Sequence, residues 1–386
     1  MREIKVSRFI YLVLAFVLLL NVSVFADMKV PDFNGVGPQS HINKIYSDSR
    51  KNELKSGDIK YEDIADMIHL YNPDVLNNWN SWENNRSSQD IYDDLVDAAD
   101  RASGTDTGSD YMDAMGQSNA DALRIQADKN ISDSYVNFLT YYLDEMKLVN
   151  TTKIDDINYH KSNYDLMIAE ENFAEAVRNE EKVKNSFNVG NATQIEYLTA
   201  KKNLVDANSS LVSARSAQNK YKRDLIVNCG RSMKDNVNIL PVNIDCDNEI
   251  NAIDFAGDYQ KALTNSIQYE IYKKGKENAK TKEVQNEYQI LIDAAPQKIY
   301  NDLESKYNDI LDAIDSRNNR QVAYALAIDT LSNAKNNYTN GNISYKDYIS
   351  AESSVNIAKY NLESSKYDVK IALEKYKASV DGFGEC

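Results

Sequence analysis

Residue types able to do chemistry are scattered along this chain rather than grouped. His41, His69 and His160 lie far apart, and no His-Glu-x-x-His or Cys/His cluster gives them metal-ligand spacing. Three cysteines in 386 residues make no disulfide framework, although Cys229 and Cys246 flank one short segment and could pair, leaving Cys386 free. Asp106-Thr107-Gly108-Ser109-Asp110 has the look of a calcium loop but lacks the twelve-residue ligand pattern and its closing glutamate, so it reads as a plain loop. No glycine-rich phosphate cradle is present. The reading is a non-enzyme without cofactor or metal. A net charge of −15 argues against nucleic acid and against adhesion to anionic lipid.

Two acids stand out by position instead. Glu196 and Asp347 each follow a hydroxyl residue by three positions (Thr193, Ser344) and a glycine by six (Gly190, Gly341). Hydroxyl and acid at that spacing form a capping box, which starts a helix. A glycine closing a long periodic segment takes φ > 0 and ends the helix before it. The two stretches, Phe187 to Ala200 and Tyr338 to Ala351, align without a gap at 151 positions. Gly190 meets Gly341, Asn191 meets Asn342, Tyr197 meets Tyr348, and Phe187 meets Tyr338.

The flanks must be long helices. Leu166, Ala169, Phe173, Ala176, Val183 and Phe187 alternate at three and four before the first turn, with Glu180 intruding. Ile310, Ala313, Tyr324, Ala327, Leu331, Ala334 and Tyr338 do so before the second, with Arg317 and Arg320 intruding. Ala200, Leu204, Ala207, Leu211 and Ala214 follow one turn, and Ala351, Val355, Ala358, Leu362, Ser365, Val369 and Ala372 the other. A seven-residue apolar repeat is the coiled-coil signature. So short a link makes each helix pair antiparallel. The fold class is therefore mainly all-α: two tandem repeats of long antiparallel coiled-coil hairpins.

In chain order, residues 1–26 read as a signal peptide. Arg2, Lys5 and Arg8 precede an apolar run from Ile10 to Leu20, and Val24-Phe25-Ala26 gives a cleavage site. Residues 27–57 read as an extended lead-in, 58–230 as the first hairpin repeat, 231–249 as a linker, 250–380 as the second repeat and 381–386 as a tail. Ile64, Ile68 and Tyr71 share one face of a short helix that Asn72-Pro73 ends or kinks. Asn265 stands in a comparable place in the second half. Asp121 to Asn188 holds neither Gly nor Pro, and Val149-Asn150-Thr151-Thr152 is its weakest point as a helix. In the second half a helical pattern meets Pro296 and is expected to resume near Gln297.

Phe-Asn-Val-Gly with an acid six residues later and then Leu-x-Ala resembles the TolC-like outer-membrane efflux duct family. So does the second copy, Tyr-x-x-Gly-x-Ile-Ser-x-x-Asp-Tyr-Ile-x-Ala, and so does Asn72-Pro73. The resemblance implies a TolC-like α-barrel protomer within a homotrimer. It implies tips that meet a periplasmic adaptor of an inner-membrane transporter, and a location in the cell envelope, in periplasm or outer membrane. Val189, Gly190, Asn191, Asn340, Gly341 and Asn342 would form those tips. Asp347, and Glu196 with it, would be tunnel-mouth acids, or else merely cap their helices. The family's second acid, three positions on, is Ser350 here.

The family inserts two β-strands per repeat, and three subunits close a barrel from them. Residues 77–120 are rich in Asn, Asp, Ser and Gly and lack the alternation of a lipid-facing strand. From Asn72 to Gly190 is 118 positions, but from Asn265 to Gly341 only 76. Membrane strands are thus expected to be reduced or absent. Two functions fit: a passive duct subunit of an efflux or secretion system, or an exported structural coiled-coil protein of the envelope that does not conduct.

Overall fold

The computed structural model describes residues 32–84, 88–129, 132–235, 237–384 and 386. The signal-peptide reading of 1–26 lies outside the described residues. The chain divides into a small unit ending at Lys44 and a large one from Ile45 to Cys386. In the small unit Phe33 and Val36 pair across a turn, and helix α1 runs Pro38–Ile42.

The large unit opens with α2 (Asp48–Ser56), capped by Ser47, whose Oγ accepts from Arg50 N–H, and closed at Gly57. Over residues 48–56 this corrects the extended reading of 27–57, whose first residues, 27–31, lie outside the described ones. Ser47 supplies the cap, Leu54 is buried, and Arg50 bonds Asp63 at 2.6 Å, so the segment folds as a helix. The first repeat then runs through α3 (Ile64–Tyr71), α4 (Pro73–Asn84), α5 (Ser88–Ser103), α6 (Asp110–Asp128), α7 (Ser134–Asn188) and α8 (Gln194–Asn228). The second has α9 (Asp247–Asn251), α10 (Phe255–Asn265), α11 (Ile267–Asn278), α12 (Lys282–Thr339) and α13 (Tyr345–Val380). Among the described residues there is no β-strand. Ile59 and Ile239 form an isolated parallel bridge that ties the linker to the start of the first repeat.

Helix α7 pairs along α8, α12 along α13, and α13 also lies against α7. At 55 and 58 residues, α7 and α12 are each about 80–90 Å long. The core sits at the end away from the tips. There Leu303, Ile310, Val369, Leu373 and Tyr376 pack together, and Trp79, Trp82 and Phe138 are buried.

The structure decides three local points, and the last of them, at Pro296, corrects an expectation. Asp121 to Asn188 is not one helix: α7 begins afresh because Asp133 Oδ1 accepts from Val136 N–H, a side-chain cap that requires neither Gly nor Pro. Val149 to Thr152 is helical throughout, since buried Thr152 returns its hydroxyl to Leu148 O at 2.8 Å. Pro296 does not interrupt α12. It costs one N–H and a clash with the preceding turn, and buried Ala295, Ile299 and Leu303 hold the helix through it.

The repeats differ where the length difference lies. Helices α4 and α11, twelve residues each, are equivalents. Only 279–281 separate α11 from α12, whereas α5 and α6 stand between α4 and α7. The extra length of the first repeat is a helical hairpin. It is fastened onto the second repeat: Asp128 accepts from Lys280 N–H and Thr281 N–H, and Tyr92 Oη donates to Asn278 O, while Asn278 Nδ2 also donates to Asp133, the cap of α7, at 2.8 Å.

Both repeats end in the same dock. Gly230 (φ 68°) and Gly382 (φ 91°) close α8 and α13. Arg231 N–H reaches Ile226 O, and Phe383 N–H reaches Ala378 O. Asn72 Nδ2 donates to Asn228 O at 2.9 Å, and Asn265 Nδ2 donates to Val380 O at 3.1 Å. A Cβ at Gly230 would lie 2.2 Å from Tyr71 O, and one at Gly382 would lie 1.9 Å from Asn265 O. Left-handed strain and a backbone clash act together at these two positions. Gly230→Ala and Gly382→Ala should each cost about 3 kcal/mol, against about 1 kcal/mol for Gly190→Ala. Denaturant midpoints of the three variants check this ranking.

Candidate functional site: hairpin tips and the seam between hairpins

The tips are built alike. Gly190 has φ 78° and Gly341 φ 76°. Asn191 N–H donates to Ser186 O and Gly190 N–H to Phe187 O. Asn342 and Gly341 repeat this on Asn337 and Tyr338. A Cβ on either glycine would touch nothing within 4 Å, so the requirement for glycine here is one of backbone angle alone.

The next helix starts at once. Thr193 N–H donates to Glu196 Oε2 at 2.7 Å, and Glu196 N–H donates back to Thr193 Oγ1 at 3.2 Å. Ser344 and Asp347 exchange the same two bonds, each 3.2 Å. Backbone and hydroxyl donation by Thr193 holds Glu196 below the usual carboxylate range. The Ser344 hydroxyl, then its N–H, does so for Asp347. Both acids serve as caps.

Each tip also carries a stacked ring pair not anticipated from the sequence: Phe187 on Tyr197 (centroids 5.4 Å, 11°) and Tyr338 on Tyr348 (5.4 Å, 18°). The signal was there, because both pairs coincide at the 151-residue offset. Tyr345 joins the second pair only.

The seam between α7 and α13 carries a row of polar contacts, beside rings of Tyr164, Tyr360 and Tyr367. From the base toward the tip, Lys161 faces Asp368 at 3.6 Å, and Ser364 Oγ donates to Asp165 at 2.8 Å. Asn356 and Ser353 both donate to Glu171, at 2.8 and 2.7 Å, and Ser350 Oγ donates to Glu175 at 3.0 Å. Ser350, where the resembling family has an acid, is thus one rung of a hydroxyl-to-carboxylate ladder. Periodicity shows which faces are apolar but not which two helices will be neighbours, so the ladder was invisible in the sequence.

At the base, Glu145 is buried with Trp79 Nε1 donating to Oε2 at 2.7 Å and His69 Nδ1 2.9 Å from Oε1. Cys229 and Cys246 are buried free thiols, not a disulfide. Burial pushes the Cys229 thiol up to about 12, which leaves it unreactive. The Asp106–Asp110 stretch is a turn closed on itself: Gly108 N–H donates to Asp106 and Thr107 N–H to Asp113.

Solved structures with the same arrangement exist. The outer-membrane channel CusC, whose crystal structures concern folding and transmembrane channel formation, superposes with a TM-score of 0.56 at 11% identity, over 84% of this chain and 92% of that one. Its helical body is TolC-like in fold. A membrane protein from Pseudomonas aeruginosa matches with a TM-score of 0.51 at 10% identity, over 85% of this chain and 95% of that one. No protein-family model and no curated protein matches the sequence. No helix among the described residues is long and apolar enough to cross a membrane.

The depressed carboxyls set a direction for acid sensitivity. A carboxylate whose folded pKa lies below its unfolded one adds stability above the unfolded value. That stability is lost as pH falls through the folded one. Below about pH 4 the tip segments 186–200 and 337–351 should therefore lose amide protection before the base does. Glu196→Gln with Asp347→Asn should remove that acid-dependent step. Hydrogen exchange corrected for intrinsic rates measures it.

Proposed function

We propose that this chain is one subunit of an exported TolC-like duct, a passive conduit of an efflux or secretion system. In this reading three copies form a ring in the cell envelope. A transporter supplies the substrate, and an adaptor docks at the tips, on Val189, Gly190, Asn191, Asn340, Gly341 and Asn342. The observation that carries the reading is a second apolar stripe on each hairpin. On α8, Leu198, Val205 and Val212 are seven residues apart, and each is more than half exposed. On α12, Val322 and Leu326, one turn apart, are exposed too. The inner stripe already serves the hairpin partner. An outer stripe at coiled-coil spacing calls for a further helix, which a neighbouring copy would supply. Asp347 and Glu196, set at the tips, would give the mouth of such a ring a negative rim while still capping their helices.

A second reading, an envelope protein that keeps the hairpins without conducting, is favoured by one feature: helices α5 and α6 stand where the resembling family places membrane strands. Light scattering on residues 27–386 separates the two. A trimer without detergent, split to monomers by Val205→Glu with Val212→Glu, is expected of the duct. A monomer with and without detergent would move the weight to the second reading.

A further inference from the structure

Asp156 lies on α7 and is fully buried, and neither of its carboxyl oxygens has a hydrogen-bond partner. Buried polar atoms are nearly always paired, so such a carboxyl calls for a ligand. One turn on, His160 Nε2 lies 3.4 Å from Asp156 Oδ1. The same Nε2 lies 2.9 Å from the carbonyl of Leu240, to which it donates, in the linker between repeats. Leu240 N–H in turn donates to Ile59 O, and Ile59 N–H to Asn238 O. One imidazole N–H thus pins the linker at the point where it bridges to the first repeat.

Groups from every side bear on this carboxyl. Tyr61 and Glu62 come from the turn before α3, Cys229 from the end of α8, and Tyr367 from α13. Arg231 acts on Cys229, and Lys153 and Lys370 lie over the Tyr61 ring, with Glu374 and Glu249 beyond. Burial, reinforced by Glu62 and only partly offset by His160, raises the affinity of Asp156 for a proton.

The other repeat shows that the fold does not need an acid here. Asp156 precedes Gly190 by 34 residues, and the residue 34 before Gly341 is Tyr307. His160 corresponds to Leu311. Both helices run unbroken over these spans, and Tyr307 packs against an apolar cluster.

We propose that Asp156, with His160, is a proton-binding site that governs the seating of the inter-repeat linker. With the proton on, the carboxyl is neutral and the His160 Nε2–H belongs to Leu240. When the proton leaves to solvent, the carboxylate competes for that N–H and draws the ring off the Leu240 carbonyl. The linker then loosens from α7. The site stands independently of the duct reading.

Hydrogen exchange of the full exported chain, expressed as protection factors at about pH 5 and about pH 8, tests it. Segment 237–244 should lose protection by about threefold at the higher pH, the equivalent of half a pK unit of coupling. Tip segment 186–194 should not. Asp156→Asn should keep the linker protected at both pH values. Should that variant fail to fold, Asp156→Leu, apolar like the surroundings of Tyr307, should give the same flat profile. Wild-type protection independent of pH, or an equal loss in a folded neutral variant, would overturn the proposal.

Discussion

Four helix ends in this chain must satisfy their last carbonyls while the backbone reverses, and all four do so with a glycine at positive φ: Gly190, Gly230, Gly341 and Gly382. The long helices run on until they reach these glycines, and α12 continues even through Pro296. At the tips the reversal is followed at once by a capping box, so the chain returns along its own helix. At the base it is followed by a dock, where Asn72 or Asn265 reaches the same last-turn carbonyl. Hairpin length, register and the meeting of the short helices with the long ones all depend on where those glycines fall.

The two repeats are alike in frame and unlike in content. The first carries the α5–α6 hairpin, the second a link of three residues that this hairpin covers. Asp128 uses both carboxylate oxygens on the N-terminus of α12, so one repeat completes the helix cap of the other. The first repeat buries two acids, Glu145 and Asp156, at positions where the second has none. Glu145 corresponds by position to Pro296, and Asp156 to Tyr307. A duplicated scaffold thus buries different polar groups in its two halves: the second has Asp258, Lys370 and Glu374 instead.

Polar contacts along the seam set register more than they add stability. Hydroxyl-to-carboxylate bonds along α7 and α13 fix the register of the two hairpins, but each contributes only about 1–2 kcal/mol net. The apolar base, with Leu303, Ile310 and Tyr376, carries the bulk of the burial. The tips, by contrast, rest on caps and one stacked ring pair apiece. Stability is thus graded from base to tip.

Local chemistry was legible in the sequence. Glycine followed by a hydroxyl and an acid at fixed spacing placed both tips, the seven-residue repeat placed the hairpins, and Asn72-Pro73 placed the junction of α3 and α4. These features depend on backbone angles and on residues within one helical turn of each other. What they could not convey was anything resting on distant partners. Asp133 starts a helix where no Gly or Pro marks a break, and the packing of Ala295 and Ile299 carries α12 through Pro296. The polar stretch after α4 becomes a hairpin because Tyr92 and Asp128 find the other repeat. The ladder from Glu171 and Glu175 to Ser353, Asn356 and Ser350, and the setting of Asp156 beside His160 and the linker, join residues about 80 to 180 positions apart. Only the tertiary structure decides such pairs, because their energy exists only once the hairpins have docked.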